Sequence, residues 1–431
     1  MRILFLTQIV PYPPDAGPKV KTWHGIRYLV EAGHQITMAS YVRPDEMQHL
    51  PTLEAMCHAV HPVPIRRSRI KDVFYMGRSF LTGRPFLVER DDLPEMRTLI
   101  HDLLASQEFD VIYADQLTMA QFAFPGKKIM GSYRNPPPFL VFDAHNAVWT
   151  ILKRSSETAN WLMRPLLARE SRAIKRHEGE LVLNYDHTLA VTDIDRAALL
   201  EAVKSLPAIS PAQIEAAAAH LSVVPIAVDT QKLQPAGRNP TSQRIVTLGT
   251  LHYPPNADGI RWFVREVYPL IQRRMPKAQL TIIGKNPPQD FQQLALEQPE
   301  AITVTGYAPD LDPYMEQSAV MVVPVRAGGG MRVRILEAFA RGMPVVTTTV
   351  GLEGIEAEPG VEVLVEDTPE TFASAVMGLL SNPDWQAKLS QRGRKLAEEK
   401  YDWQTVLGQI EKVFQNMSTL AEPIKEPPIE A

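Results

Sequence analysis

The sequence predicts an α/β protein of two domains, each built on a doubly wound parallel sheet wrapped by helices. Three observations carry this. At 431 residues the chain exceeds what one ordinary hydrophobic core encloses. Short apolar, β-branched runs alternate with helix-period patterns along its length. A Pro/Gly/polar stretch, residues 230–242, splits those runs into two series.

The strands of the first series are expected at 3–6, 35–40, 110–114, 139–142 and 188–191. Trp23, Ile26, Leu29 and Val30 share one face at helical spacing, so a helix follows the first strand. The second series is expected at 244–248, 279–283, 302–305, 320–325, 345–348 and 363–365. Near the end, Trp403, Val406, Leu407, Ile410, Val413 and Phe414 form a helical apolar stripe. The resulting plan is a first domain over 1–229, completed by a terminal helix over 403–420, a linker over 230–242 and a second domain over 243–402. Residues 422–431 are rich in Pro and Glu and are expected to be disordered.

Bulk properties exclude several classes. Apolar residues make up 45% and charged residues 22%, ordinary globular proportions, and the net charge of -4 does not suit a general nucleic-acid binder. The single cysteine, Cys57, forms neither an internal disulfide nor a zinc framework, and reads as a buried thiol in a reducing compartment. The opening Arg2-Ile-Leu-Phe-Leu imitates a signal peptide, but Thr7, Gln8 and the prolines at 11, 13 and 14 end it too soon, and a first strand is the better reading. No stretch approaches a membrane span. A cytoplasmic protein is expected, at most bound to the inner face of a membrane.

In open parallel sheets ligands bind beyond the carboxyl ends of the strands. The most telling such end is Pro324-Val-Arg-Ala-Gly-Gly-Gly-Met-Arg-Val-Arg-Ile-Leu-Glu-Ala, a strand that runs into Gly328, Gly329 and Gly330 and then a helix to about Ala340. Glycines let backbone approach a ligand closely, and a helix amino end offers N–H donors and partial positive charge to a phosphate. Arg332 and Arg334 beside Met331 add full charges that oppose the helix dipole unless an anion is bound. Each charge-assisted hydrogen bond to such an anion is worth about 1.5–3 kcal/mol. Glu337, one turn on, accepts hydrogen bonds and suits the two neighbouring hydroxyls of a ribose. The competing reading is a tight turn with two solvated arginines; convergence in one strand–loop–helix unit favours a site.

Two other ends are less specific. His145 in Phe142-Asp-Ala-His-Asn146 follows a strand and can exchange hydrogen bonds or stabilise charge, although one histidine is as readily a loop residue. Gly17, in Asp15-Ala-Gly-Pro-Lys19, precedes a helix and is a candidate phosphate neighbour or part of a Pro-rich connection. The triplets Asp193-Ile-Asp195 and Asp310-Leu-Asp312 resemble metal-holding pairs, but such triplets are common and Asp193 suits a helix cap. No His, Cys and carboxylate cluster shows metal-ligand spacing, and neither a serine elbow nor a Walker loop is present. The segment 65–91 interleaves Arg66, Arg67, Arg69, Lys71, Arg78 and Arg84 with Phe74, Tyr75, Phe80, Leu81 and Phe86. That composition suits an anionic membrane surface or lipid-linked acceptor, and equally an amphipathic helix with solvated charges.

These motifs resemble the family 4 retaining glycosyltransferases, of the GT-B fold, in which two Rossmann-like domains face across a cleft. The resemblance runs over most of the chain: the first strand and Pro-Pro-Asp-Ala-Gly17, Phe109-Asp-Val-Ile-Tyr, Asp143-Ala-His-Asn, Val223-Val-Pro-Ile-Ala-Val-Asp229, Pro255-Asn-Ala-Asp-Gly-Ile and, most specifically, Gly330-Met-Arg-Val-Arg-Ile-Leu-Glu-Ala to Gly354-Ile. It implies that Glu337 contacts the nucleotide ribose, that Arg332 and Arg334 lie near the diphosphate, that His145 lies near the donor sugar, that Gly17 belongs to the donor loop and that the last helix returns to the first domain. Three positions depart from the pattern. Gly329 stands where a glutamate is common, Arg334 where lysine is usual, and Pro18 where a second glycine is expected.

The resemblance implies metal-independent transfer of a sugar from a nucleoside diphosphate sugar to a hydroxyl of a saccharide or lipid-linked acceptor, with front-face attack and retention. It implies no cofactor beyond that co-substrate. Gly329 and Pro18 motivate a rival reading, a non-catalytic nucleotide-sugar-binding protein; a nucleotide-sugar epimerase on the same fold is a third.

Overall fold

A computed structural model describes residues 1–123, 137–239 and 241–420; the tail 422–431 lies outside the described residues. The chain divides into two compact units, Met1–Val224 with the residues from Val406 on, and Pro225–Thr405.

The first unit holds a seven-stranded sheet in which every pairing is parallel. Its strands are β1 (Arg2–Thr7), β2 (Gln35–Val42), β3 (Ala59–Pro64), β4 (Val111–Asp115), β5 (Phe139–Asp143), β6 (His187–Ala190) and β7 (Leu221–Val223), in the order β3-β2-β1-β4-β5-β6-β7. The central strands are continuous apolar runs because helices cover both faces of a parallel sheet. Phe5 and Tyr113 stack across β1 and β4 with ring centroids 4.7 Å apart. Strand order reverses between β1 and β4, so Thr7 and Asp115 end at the crevice where such sheets take ligands.

Sequence reading finds neither β3 nor β7. β3 carries Pro62 and Pro64, which only an edge strand accommodates, and three-residue β7 forms the opposite edge. Cys57 is buried beside β3, and burial pushes its thiol up to about 12.

The second unit holds a six-stranded parallel sheet of β8 (Arg244–Leu248), β9 (Gln279–Ile283), β10 (Ile302–Gly306), β11 (Val320–Val323), β12 (Val345–Thr347) and β13 (Leu364–Val365). The order β10-β9-β8-β11-β12-β13 puts the switch point between β8 and β11. The helix Pro254–Trp262 lies hard against the exit of β11: a Cβ on Gly259 would stand 2.0 Å from the Pro324 carbonyl oxygen. The stretch 230–242, expected as a linker, belongs to this unit and is bonded to it. Ala236 N–H donates to the Arg341 carbonyl, and the Arg238 guanidinium donates to Ser390 Oγ over 2.8 Å.

The helix Trp403–Leu420 starts in the second unit and from Val406 belongs to the first. Its stripe of Val406, Leu407, Ile410, Val413 and Phe414 is buried. Glu411 meets His34 Nε2 at 2.6 Å, and Phe414 sets its ring edge-on to the same imidazole.

Candidate active site

In the first unit, seven polar side chains from three strands, the turn after β5 and one helix meet in a buried cluster. The helix Gly17–Glu31 opens at Gly17 with a proline in its first turn, and carries Lys21 and Thr22 inward. Lys21 Nζ donates to Asp143 Oδ1, and Tyr113 Oη donates to Asp143 Oδ2 over 2.7 Å. Asp115 accepts from Thr7 Oγ1 at 2.8 Å and Thr22 Oγ1 at 2.9 Å, and its other oxygen meets His145 Nε2 at 2.7 Å. Lys21, Asp115, Asp143 and His145 are each less than a tenth exposed. Burial alone raises the Asp143 carboxyl, but the Lys21 ammonium and the neighbouring His145 outweigh it and hold it below the usual range. Burial and the Asp143 charge push the Tyr113 phenol well up, so that it remains a donor.

Backbone geometry marks the same place. His145 has φ +54° and Gln116 has φ +76° with ψ 157°, a region almost reserved for glycine. Such residues cost roughly 1–3 kcal/mol each and collect at functional sites. Gln116 Nε2 is buried without a hydrogen-bond partner among the described residues. The loop after His145 is tied down from below: Ala147 N–H donates to Asp195, and Val148 and Trp149 N–H donate to Glu178.

Asp115, Asp143 and His145 place three donor atoms within 4.8 Å of one another, close enough for one cation. Sequence spacing does not show this cluster because Asp115 comes from a different strand. The Lys21 ammonium donates to Asp143 there and gives that carboxylate a buried positive partner. The two aspartate triplets do other work. Thr192, not Asp193, caps the helix Asp193–Lys204, and Asp312 pairs with Arg341 at 2.9 Å.

In the second unit, the loop after β11 carries Gly328 and Gly330 at φ +98° and +82°, then the helix Val333–Ala340. Arg334 Nη2 donates to Asn256 Oδ1 over 3.0 Å, and Asn256 Nδ2 donates to the Thr250 carbonyl. This fastens the guanidinium to the exit of β8 across the switch point. Gly249 has no room for a side chain, since a Cβ there would lie 2.7 Å from Arg334 Nη1. Arg334 Nε is buried without a hydrogen-bond partner among the described residues. Burial, reinforced by the Arg332 charge, pulls Arg334 down to about 9. Arg332 turns back on its own loop, Nη1 donating to the carbonyls of Gly329 and Gly330. The Glu337 carboxylate has no hydrogen-bond partner among the described residues, and burial raises it despite Arg341 and Arg334. Met331 is buried beside them.

An open cavity of about 730 Å³ lies at the ends of β9 and β10, lined by Lys285, Asn286, Pro287, Gln292, Gly306 and Tyr307. The Lys285 ammonium sits 4.3 Å from the Tyr307 ring centroid. The cavity is linked to Arg334 through backbone in contact, since a Cβ on Gly284 would meet the Gly249 carbonyl oxygen at 1.9 Å. Arg332, Arg334 and Glu337 are therefore gathered in one unit, and His145 lies in the other. Sequence reading missed Lys21, Asp115 and Gln116. The signals that could have found them are a lysine one turn after Gly17 in the first helix and polar residues at a strand's carboxyl end.

Residues 242–382 match the family described as glycosyl transferases group 1. A protein of the cps region of Klebsiella pneumoniae is 24% identical over 174 residues, 39% of this chain, and the chain spans 45% of that relative's length. The MMP alpha-(1->4)-mannosyltransferase of Mycolicibacterium hassiacum is 25% identical over 72% of this chain and 71% of its own. Among solved structures, Anabaena HepE in complex with UDP superposes with a TM-score of 0.67 at 15% identity, covering 96% of this chain and all of HepE. The chain thus has the GT-B fold of glycosyltransferases, and residues 242–382 of its second unit match the group 1 glycosyl transferases.

Proposed function

We propose that this chain transfers a sugar from a nucleoside diphosphate sugar to a hydroxyl of a saccharide acceptor, with retention of configuration and without a metal. The observation that carries it is Arg334, held by Asn256 at the amino end of a helix with an unused buried N–H, one turn before an unbonded Glu337 carboxylate. An anionic diphosphate is the ligand that relieves this arrangement. It accepts from the guanidinium and from the first-turn N–H groups, which have no partner within the helix. Glu337 accepts from the ribose hydroxyls. The base lies against Tyr307 in the cavity beyond Gly284, where an aromatic face and Lys285 suit a planar ring. That HepE is seen with UDP, and a relative is a mannosyltransferase, supports a nucleotide-sugar donor here.

In the reaction the bond between the anomeric carbon and the leaving phosphate oxygen breaks, and negative charge builds on the diphosphate. Arg334, Arg332 and the helix amino end stabilise that charge electrostatically. The acceptor oxygen bonds to the same face of the anomeric carbon and its proton passes to the leaving phosphate. His145 orients the sugar while positive charge develops on it, and Asp115 fixes the ring and its tautomer. Lys21, bonded to Asp143, supports the metal-free reading because the only three-donor cluster among the described residues already contains a cation.

The test is a donor panel of UDP- and GDP-sugars with saccharide and lipid-linked acceptors, run on the parent and Glu337→Ala with and without EDTA. Transfer that survives EDTA, a retained anomeric configuration by NMR and donor binding weakened in Glu337→Ala are expected. Activity abolished by EDTA, an inverted product or unchanged donor affinity overturns the corresponding part.

A further inference from the structure

The helix Arg69–Thr82 is folded with its apolar face outward. Ile70, Val73, Phe74 and Leu81 are 84%, 75%, 66% and 90% exposed, and Phe80 is exposed as well. At 3.6 residues per turn these five, with Gly77, occupy one continuous stripe. Ser79 projects from the opposite side and is the one fully buried residue of the helix. It anchors the helix to the protein: Ser79 Oγ donates to the Arg84 carbonyl and accepts from Arg169 of the helix Arg164–Asn184. An ordinary surface helix packs its apolar stripe inward and shows its polar side. This one does the reverse, and the stripe is a contiguous apolar surface of the kind that marks an interaction site.

Charge identifies what covers it. In a chain of net charge -4, residues 65–84 hold six basic side chains, Arg66, Arg67, Arg69, Lys71, Arg78 and Arg84, against one acidic side chain, Asp72. Arg84, Arg78 and Arg67 pair with the buried carboxylates Asp92, Glu89 and Asp91. Arg66, Arg69 and Lys71 are exposed and have no ion pair among the described residues. Arg69 flanks the stripe on one side and Lys71 and Arg78 on the other, while half-buried Asp72 lies toward the inner side. An apolar stripe bordered by cations on both edges is complementary to a bilayer whose acyl chains take the apolar residues and whose anionic headgroups take the cations. At 14 residues the helix is about 21 Å long, short of a bilayer's hydrocarbon core, and one side of it is anchored to the protein by Ser79, so the contact is one of lying on the surface.

We infer that the helix Arg69–Thr82 docks this protein onto an anionic lipid bilayer, with Ile70, Val73, Phe74, Phe80 and Leu81 entering the interface. This inference is independent of the sugar-transfer reading, since none of these residues belongs to the candidate active site.

The experiment is co-sedimentation of the full chain with vesicles of phosphatidylcholine alone and of phosphatidylcholine mixed with phosphatidylglycerol, at low and high salt. Binding to the mixed vesicles, weakened by salt and weak on phosphatidylcholine, is expected. Phe74→Ser with Leu81→Ser should reduce it roughly a hundredfold. Arg69→Glu with Lys71→Glu should reduce it roughly tenfold or more at low salt. All four positions are exposed, so thermal unfolding midpoints should match the parent and separate loss of docking from loss of fold. Equal binding to both vesicle types, or binding retained in the Phe74/Leu81 variant, overturns the inference. So does absence of vesicle binding together with self-association by sedimentation velocity that the same variant abolishes, which would assign the stripe to a second copy.

Discussion

Asp115 Oδ1 and His145 Nε2 lie 2.7 Å apart, joining the carboxyl end of β4 to the first turn of chain after β5. The carboxylate is itself held by Thr7 and Thr22, so the imidazole is oriented by a fixed acceptor rather than by a mobile one. If His145 acts on the transferring sugar, Asp115→Asn leaves the shape intact and removes the charge that sets the ring's tautomer. Turnover is expected to fall roughly ten- to a hundredfold with little change in donor KM. Steady-state kinetics check this, and a shifted pH profile of kcat separates positioning from mere packing.

Arg334 is a half-buried cation beside another cation, with its Nε fully buried, which costs stability until an anion arrives. Arg334→Met is therefore expected to leave the ligand-free melting midpoint unchanged or higher. The rise in midpoint produced by UDP or GDP in the parent should shrink, and affinity should fall roughly ten- to a hundredfold, the equivalent of one charge-assisted hydrogen bond of about 1.5–3 kcal/mol. Scanning fluorimetry and calorimetric titration read the two effects separately.

Glu178 holds the backbone beneath His145 and is pushed up to about 8, chiefly by burial and further by Asp195, against the donation from Val148 and Trp149. The folded state thus keeps a proton that the unfolded chain releases near the ordinary value of 4.5. The stability this group contributes is complete below that value and is lost as pH rises through about 8. Denaturant unfolding of the parent is expected to show declining stability over this window, and Glu178→Gln should flatten the slope.

Gly259 and Gly25 make a matched pair. A Cβ on Gly259 meets the Pro324 carbonyl oxygen at 2.0 Å, whereas one on Gly25, inside the helix Gly17–Glu31, meets nothing within 4 Å. Gly259→Ala is expected to destabilise the second unit by about 1–3 kcal/mol. Gly25→Ala should stabilise the first by about 0.4–1 kcal/mol. Chemical denaturation of the two variants tests both signs.

Much of this was readable in the chain. The central strands announced themselves because burial on both faces forces continuous apolar runs, as in β1, β5, β8 and β11. The edge strands β3 and β7 did not, because an edge tolerates proline and polarity and so loses the signal. Gly328, Gly330, Arg332, Arg334 and Glu337 stood out because one loop and one helix carry them all. Asn256, which fastens Arg334, and Asp115, which fastens His145, were silent, as each lies far along the chain from its partner.

The sequence alone determined two parallel-sheet units and a phosphate-suited glycine loop, since periodicity, glycine placement and charge opposing a helix dipole are local properties of the chain. Only the tertiary structure decided that Lys21, Asp115, Asp143 and His145 share one buried cluster and that the helix Arg69–Thr82 turns its apolar stripe to solvent. Both depend on parallel strands and helices distant in sequence being brought side by side, and on which face of a helix its anchor, here Ser79, draws inward.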